Sequence, residues 1–223
     1  MAAQEDGGDL EDRPNVRATG ESVIQAKPDL ARIDFGVTTQ GPTAQAAGAQ
    51  NAKQFEAVLA ALRKALGPSA EVKTVNYSLQ PEYKYPKEGG KPQIVGYTAT
   101  NIVQATTTDL DRVGPLIDAA TQAGATNVQQ LQFTLKDEQA VRAQALAEAA
   151  RKARGNAEAI AQALGLKVVR VLSAQAGGGP VVPLRRENMM MAMSKAADAA
   201  PTPIESGNIE VHATVSLMLE VAQ

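Results

Sequence analysis

The chain contains no cysteine and no tryptophan. The first absence excludes disulfides, a thiolate nucleophile, zinc fingers and iron–sulfur clusters. It leaves the compartment open, though it suits a protein that folds where stray thiols would oxidise. Aromatics are only 3% of residues against 44% hydrophobics, so the core must be built from Ala, Val, Leu and Ile. No apolar run approaches the ~20 residues that a membrane-spanning helix needs. A basic excess is missing too. Lys and Arg number 22 against 24 Asp and Glu, and the net charge is −2. Phosphate binding needs a concentrated basic face, so nucleic acid is not expected as a partner.

The 223 residues suffice for one large domain or two small ones. Residues 1–14 form an acidic, flexible lead-in with Glu5, Asp6, Asp9, Glu11 and Asp12 around Gly7-Gly8. They lack the basic start and apolar stretch of a signal peptide. Met1-Ala2-Ala3-Gln4 reads equally as the processed end of an exported protein and as a natural cytoplasmic start.

Beyond Val16 the apolar residues show two periods. Ala31, Ile33, Phe35 and Val37 alternate with Arg32, Asp34, Gly36 and Thr38, the pattern of a half-buried strand. The turn signal Lys27-Pro28-Asp29 makes Val16–Gln25 its expected hairpin partner. Phe55, Val58, Leu59, Leu62 and Leu66 lie on one helix face, which Gly67-Pro68 ends. Strands are expected at Val72–Gln80 and Ile94–Thr107, with a polar tip between them. A second helix starts near Asp109 or Asp111, and Pro115 is tolerable close to its first turn. After a strand over Val128–Leu135 comes a long helix, Asp137–Leu164. Its inward stripe is Val141, Ala145, Leu146, Ala149, Ala153, Ala157, Ile160 and Leu164. A stripe so rich in alanine lets backbones come close. A short strand, Lys167–Leu172, leads into a loop over 174–208.

The last strand, Ile209–Val221, alternates throughout. Ile209, Val211, Ala213, Val215, Leu217, Leu219 and Val221 face one way. Glu210, His212, Thr214, Ser216, Met218 and Glu220 face the other. At ~3.3 Å per residue it is about 40 Å long, so its far end is expected to project beyond the core. The element order predicts an α+β fold, with helices packed on a mostly antiparallel or mixed sheet. Two strand–helix–strand units, 31–80 and 94–135, precede the long helix and the long C-terminal strand.

Chemistry is sparse. The single histidine, His212, stands on the polar face of the last strand and reads as an exposed strand residue. Gly89-Gly90 and Gly177–Gly179 lack the spacing of a phosphate loop or dinucleotide fingerprint. No catalytic, cofactor-binding or metal site is expected. Two candidate sites remain. Arg185, Arg186, Met189, Met190, Met191 and Met193 form an exposed-loop cluster suited to contact with another subunit or partner. Oxidisable thioethers and soft Cu(I) ligands are the lesser readings of the methionines. Tyr77, Tyr83, Tyr85 and Tyr97, all the tyrosines of the chain, flank one hairpin and are a candidate pocket lining.

Four segments together resemble the SIMPL-domain family of bacterial periplasmic or outer-membrane-associated proteins, which includes a Brucella outer-membrane antigen. They are Gly20 with Pro28-Asp29-Leu30-Ala31 and Phe35-Gly36-Val37; Gly96-Tyr97-Thr98-Ala99-Thr100-Asn101 with Asp109-Leu110 and Val113-Gly114; Arg142 with Ala145-Leu146, Ala149, Ala153-Arg154, Ala157-Glu158, Ala161 and Leu164-Gly165; and Thr202-Pro203-Ile204-Glu205, Gly207, Ile209-Glu210-Val211 and Ala213-Thr214-Val215. The departures are Pro115, Asn208 and the methionine-rich insert. The resemblance covers the chain from about Val16 onward. It implies an exported protein with its signal peptide removed, envelope or outer-membrane association, assembly into homo-oligomers, and a link to oxidative-stress defence of unknown mechanism.

The expected organisation is a tail over 1–14 and a SIMPL-like domain over 15–223. Two intertwined subdomains are expected in it, 15–80 with 166–223 and 94–165. The expected function is non-catalytic: a periplasmic protein that self-assembles and contributes to stress defence or envelope integrity. A binding module for a small molecule or peptide, and an oligomeric channel-like assembly, are the alternatives.

Overall fold

The computed structural model describes residues 13–67, 71–86, 90–177, 182–183, 202 and 204–223. In chain order the elements are β1 (Asn15–Ala26), β2 (Leu30–Gly41), α1 (Ala44–Leu66), β3 (Glu71–Lys84), β4 (Gln93–Thr107), a 3-10 turn (Leu110–Arg112), α2 (Val113–Gln122), β5 (Asn127–Thr134), α3 (Glu138–Ala163), β6 (Lys167–Gly177), β7 (Val182–Pro183) and β8 (Ile209–Ala222). The fold is α+β, and every strand pairing is antiparallel. The described residues form two sheets where the sequence suggested one. The chain divides into a unit of residues 1–27, 137–185 and 207–223, and a unit of residues 28–136 and 186–206.

The unit of residues 28–136 is β-α-β-β-α-β, with strand order β3-β4-β2-β5. Each helix carries the chain past one neighbouring strand, the split β-α-β arrangement. Both expected strand–helix–strand units are present, as β2-α1-β3 and β4-α2-β5. Their helices cover one face of the sheet. Between them lies a core of Ile33, Phe35, Val37, Phe55, Val58, Leu62, Val103, Val113 and Leu116. Each large side chain of this kind contributes about 1.5–3 kcal/mol on burial.

Helix α1 starts earlier than its large apolar residues suggest. The Thr43 hydroxyl accepts the Ala46 N–H at 3.1 Å, and the buried stripe continues backward from Phe55 through Asn51 to Ala47. Asn51 is fully buried. Its Nδ2 donates to the carbonyls of Val37 (2.8 Å) and Ala99 (3.0 Å), joining the helix to two strands.

The other unit packs α3 on a sheet of order β1-β8-β6, with β7 also paired to β8. The hairpin expected between the first two strands is absent: β1 pairs with β8 from Asn15↔Glu220 to Ala26↔Ile209. The Lys27-Pro28-Asp29 segment is a passage between units and not a tight turn. Strand β8 does not project either. It is flanked by β1 and by β6, and its apolar row is buried from Ile209 to Val221.

Helix α3 forms because Ala, Glu, Gln, Lys and Arg dominate it. The Asp137 carboxylate accepts the Ala140 N–H at 2.9 Å, and Gly165 follows the helix at φ 72°. The buried stripe is Ala145, Ala149, Ala153, Ala157 and Ala161. Ile160 and Leu164, expected inside, are 42% and 65% exposed. The alanines suffice because Gly20 of β1 lies directly against the helix backbone. A Cβ at Gly20 would stand 2.2 Å from the Ala149 carbonyl oxygen and 2.3 Å from the Ala153 nitrogen. One turn away, the Ser22 hydroxyl donates to the Ala145 carbonyl at 2.7 Å.

The expected subdomains, 15–80 with 166–223 and 94–165, are therefore regrouped. Strands β2 and β3 join β4, and α3 joins the sheet of β1 and β8, because backbone pairing and the alanine stripe set the partners. The end of the expected tail is engaged as well: the Pro14 carbonyl accepts the Val221 N–H at 3.0 Å.

Candidate interaction surface

Strand β2 ends opposite Tyr97, whereas β3 and β4 stay paired out to Lys84↔Gln93. The β3–β4 hairpin therefore runs on as a two-stranded arm. A bulge at Val75 resets the alternation, after which Tyr77, Leu79, Pro81 and Tyr83 share the helix-side face with Asn101, Ala99, Tyr97 and Ile94. Ala99 is fully buried, but this cover ends along the arm. Tyr77 is 52% exposed, Tyr83 50% and Ile94 51%, and Val95 and Tyr85 are exposed beside them. On the α1 side the Tyr77 hydroxyl lies near Gly48, 3.5 Å from where a Cβ there would stand.

The opposite face of the sheet is polar. Glu82 accepts hydrogen bonds from Gln40 (2.7 Å) and from the Thr98 hydroxyl; Thr38 meets Thr100 at 3.2 Å; Gln104 donates to Asp34 at 2.9 Å. The arm thus has one wet face and one apolar face, and β3 is a sheet edge.

Tyr83 lies six positions beyond Tyr77, roughly 20 Å along a strand. The tyrosines are strung out in a row and do not close around one small cavity. Arg185, Arg186, Met189, Met190, Met191 and Met193 lie outside the described residues. Ile94 and Val95, which the sequence hid inside an ordinary strand pattern, are the arm's additional apolar contacts.

His212 is exposed on the outer row of β8, its Nε2 3.4 Å from Glu210. Further along that row Glu220 accepts from Arg170 Nε at 2.6 Å and lies 3.6 Å from Arg13. The Arg170 hydrogen bond in particular holds the Glu220 carboxyl below its ordinary value. On α3, the hydrogen bond from Lys152 does the same for Glu148. Both are solvated ion pairs, which contribute little to stability. Among the described residues no three His, Asp or Glu side chains converge on one point.

Several of the residues that carried the resemblance meet at close backbone contacts. Gly20 meets the Ala149–Ala153 stretch, as described above. Gly114 meets Thr202, whose carbonyl oxygen would stand 2.4 Å from a Cβ at Gly114. The Thr202 hydroxyl donates to Asp118 of α2 at 2.8 Å, and Ile204 packs against the core of its unit. These residues hold chain to chain.

Comparison with known proteins agrees. The family model SIMPL, "Protein of unknown function (DUF541)", matches residues 16–218. The chain is 30% identical over 177 residues to "Uncharacterized protein YggE" of Edwardsiella ictaluri, covering 78% of this chain and 72% of that one. It is 26% identical over 210 residues to the "26 kDa periplasmic immunogenic protein" of Brucella melitensis, covering 92% and 84%. To "Uncharacterized protein YggE" of Escherichia coli K12 it is 27% identical over 207 residues, covering 90% and 78%. With nearly its whole length matched by the family model, this chain belongs to the SIMPL family.

Proposed function

We propose that this is a non-catalytic periplasmic protein that assembles with copies of itself and contributes to oxidative-stress defence or envelope integrity. The observation that carries the assembly is the β3–β4 arm. Tyr77, Tyr83, Tyr85, Ile94 and Val95 stay exposed along a sheet edge that pairs with no further strand among the described residues, in a chain with only 3% aromatics. Exposed apolar rows rimmed by polar residues mark contact sites, and an edge strand invites a further strand. A second copy of the chain supplies both an apolar row and an edge. The periplasmic location rests on the name of the Brucella relative. The stress contribution rests on the family likeness, and no single residue carries it.

Multi-angle light scattering tests the assembly. The protein at micromolar concentration should be multimeric, and Tyr83→Ser with Ile94→Ser should shift it toward monomer while leaving its far-UV spectrum unchanged. A monodisperse wild-type monomer would remove the basis of the reading.

A further inference from the structure

We propose that Met218 is an oxygen-accepting site: its thioether reduces a hydroperoxide, and the fold tolerates and solvates the sulfoxide formed. The inference goes beyond the assembly reading and does not depend on it.

The outer row of β8 is Glu210, His212, Thr214, Ser216, Met218 and Glu220. Met218 is the one residue of that row without a hydroxyl, imidazole or carboxylate. It is half-buried and lines an open cavity, so the residue is neither sealed in the core nor on a free chain end. Its cross-strand partners are Arg17 on β1 and Ser173 on β6. In the regular β1–β8 register paired side chains have Cβ atoms about 4.5–5.5 Å apart, within reach of a guanidinium, while Ser173 follows a register shift in β6 and lines the same cavity as Met218. An open cavity of about 440 Å³ lies over these three residues, and Thr19, Gln175 and Ser216 also line it. All five polar neighbours carry hydrogen-bond donors; the Thr19 and Ser216 hydroxyls also meet each other at 3.1 Å, and Arg17 is engaged elsewhere as well.

The chemistry needs only the hydroperoxide. A sulfur lone pair attacks the near oxygen of hydrogen peroxide, the O–O bond breaks, and the far oxygen leaves as hydroxide. The proton from the attacked oxygen goes to that hydroxide, so water departs and methionine sulfoxide remains. Sulfur loses two electrons and the peroxide gains them. Donors beside the sulfur stabilise the leaving hydroxide and then the sulfoxide oxygen. The product is polar, as a site in a polar row requires. On the inner row, at Leu217 or Leu219, the same change would place an S=O group against α3. Methionine sulfoxide is returned to the thioether by sulfoxide reductases, so the site is reusable.

The test is graded hydrogen peroxide on the full chain, with peptide mass mapping. The methionines at 189–193 in the same digest give an internal reference rate. Met218 should take up one oxygen, and melting should shift by less than about 2 °C, as for a surface-row change in a chain of this size. Sulfoxide reductase should reverse the uptake. Arg17→Lys, which keeps a donor, should leave the ratio of Met218 to reference rates near wild type; Arg17→Ala should lower it several-fold. Met218→Leu should melt like the wild type and block uptake at that position. The proposal is overturned by a Met218 still reduced when the reference methionines are consumed, by unfolding on its oxidation, or by a ratio indifferent to Arg17→Ala. Light scattering on the same samples separates this outcome from that of the assembly.

Discussion

Replacing Gly20 with alanine tests the packing of α3 on its sheet most directly. The added Cβ would meet the Ala149 carbonyl oxygen at 2.2 Å and the Ala153 nitrogen at 2.3 Å. An ordinary contact is about 3.5 Å, so helix and strand must part by about 1 Å or more. Neither atom belongs to a flexible side chain that could swing away. Parting the two also strains the Ser22 hydroxyl bond to Ala145 and loosens the alanine stripe, whose short side chains cannot refill a gap. Overpacking of this kind costs about 1–3 kcal/mol and sometimes more; with backbone on both sides the upper end is expected. For a chain of this size each kcal/mol moves the melting temperature by about 2–4 °C. Gly20→Ala should therefore lower it by roughly 5–12 °C in a circular-dichroism melt. Gly155→Ala is the control on the same helix: a Cβ there meets nothing within 4 Å. It should stabilise by up to about 1 kcal/mol, because alanine is the better helix former. A Gly20→Ala protein that melts within a degree of wild type would refute the close approach.

Two further outcomes follow from polar contacts. Asn51→Ala deletes the two hydrogen bonds to Val37 and Ala99 and leaves buried carbonyls short of a donor. It should cost about 2–4 kcal/mol in urea unfolding with little change in slope. Glu220 is a depressed carboxyl, so its ion pair favours folding above its ordinary value of 4.5, and that contribution fades as pH falls through the lower folded value. Carbon-detected NMR should place its midpoint below 4.5 in wild type and nearer 4.5 in Arg170→Gln; an unchanged midpoint would exclude Arg170 as the cause.

Much of this architecture was legible in residue order. The period-two run of β8 and the apolar spacing in α1 each point to one local structure, because side-chain direction repeats every two residues in a strand and every 3.6 in a helix. Pairing was less legible. Lys27-Pro28-Asp29 looks like a hairpin turn, yet β1 finds β8 nearly two hundred residues away, with Thr19 facing Ser216. Nothing local distinguishes a turn from a passage when both want a proline. Ile160 and Leu164 misled for a related reason: helical spacing marks a face, but only the partner surface decides how far the face extends. The exposed arm was half visible, as four tyrosines about one hairpin. Ile94 and Val95 joined them only once the end of β2 was located.

Residue order alone carried the element types, the α+β class, the absence of cysteine chemistry and, through scattered short motifs, the family. Those are properties of composition and of short-range period. Long-range packing set the rest: among the described residues it makes two sheets, brings Gly20 and Gly114 against other backbone, and leaves the β3–β4 apolar row open. Each of these depends on which distant backbone comes within a few ångströms, a quantity set by the packing of the whole chain.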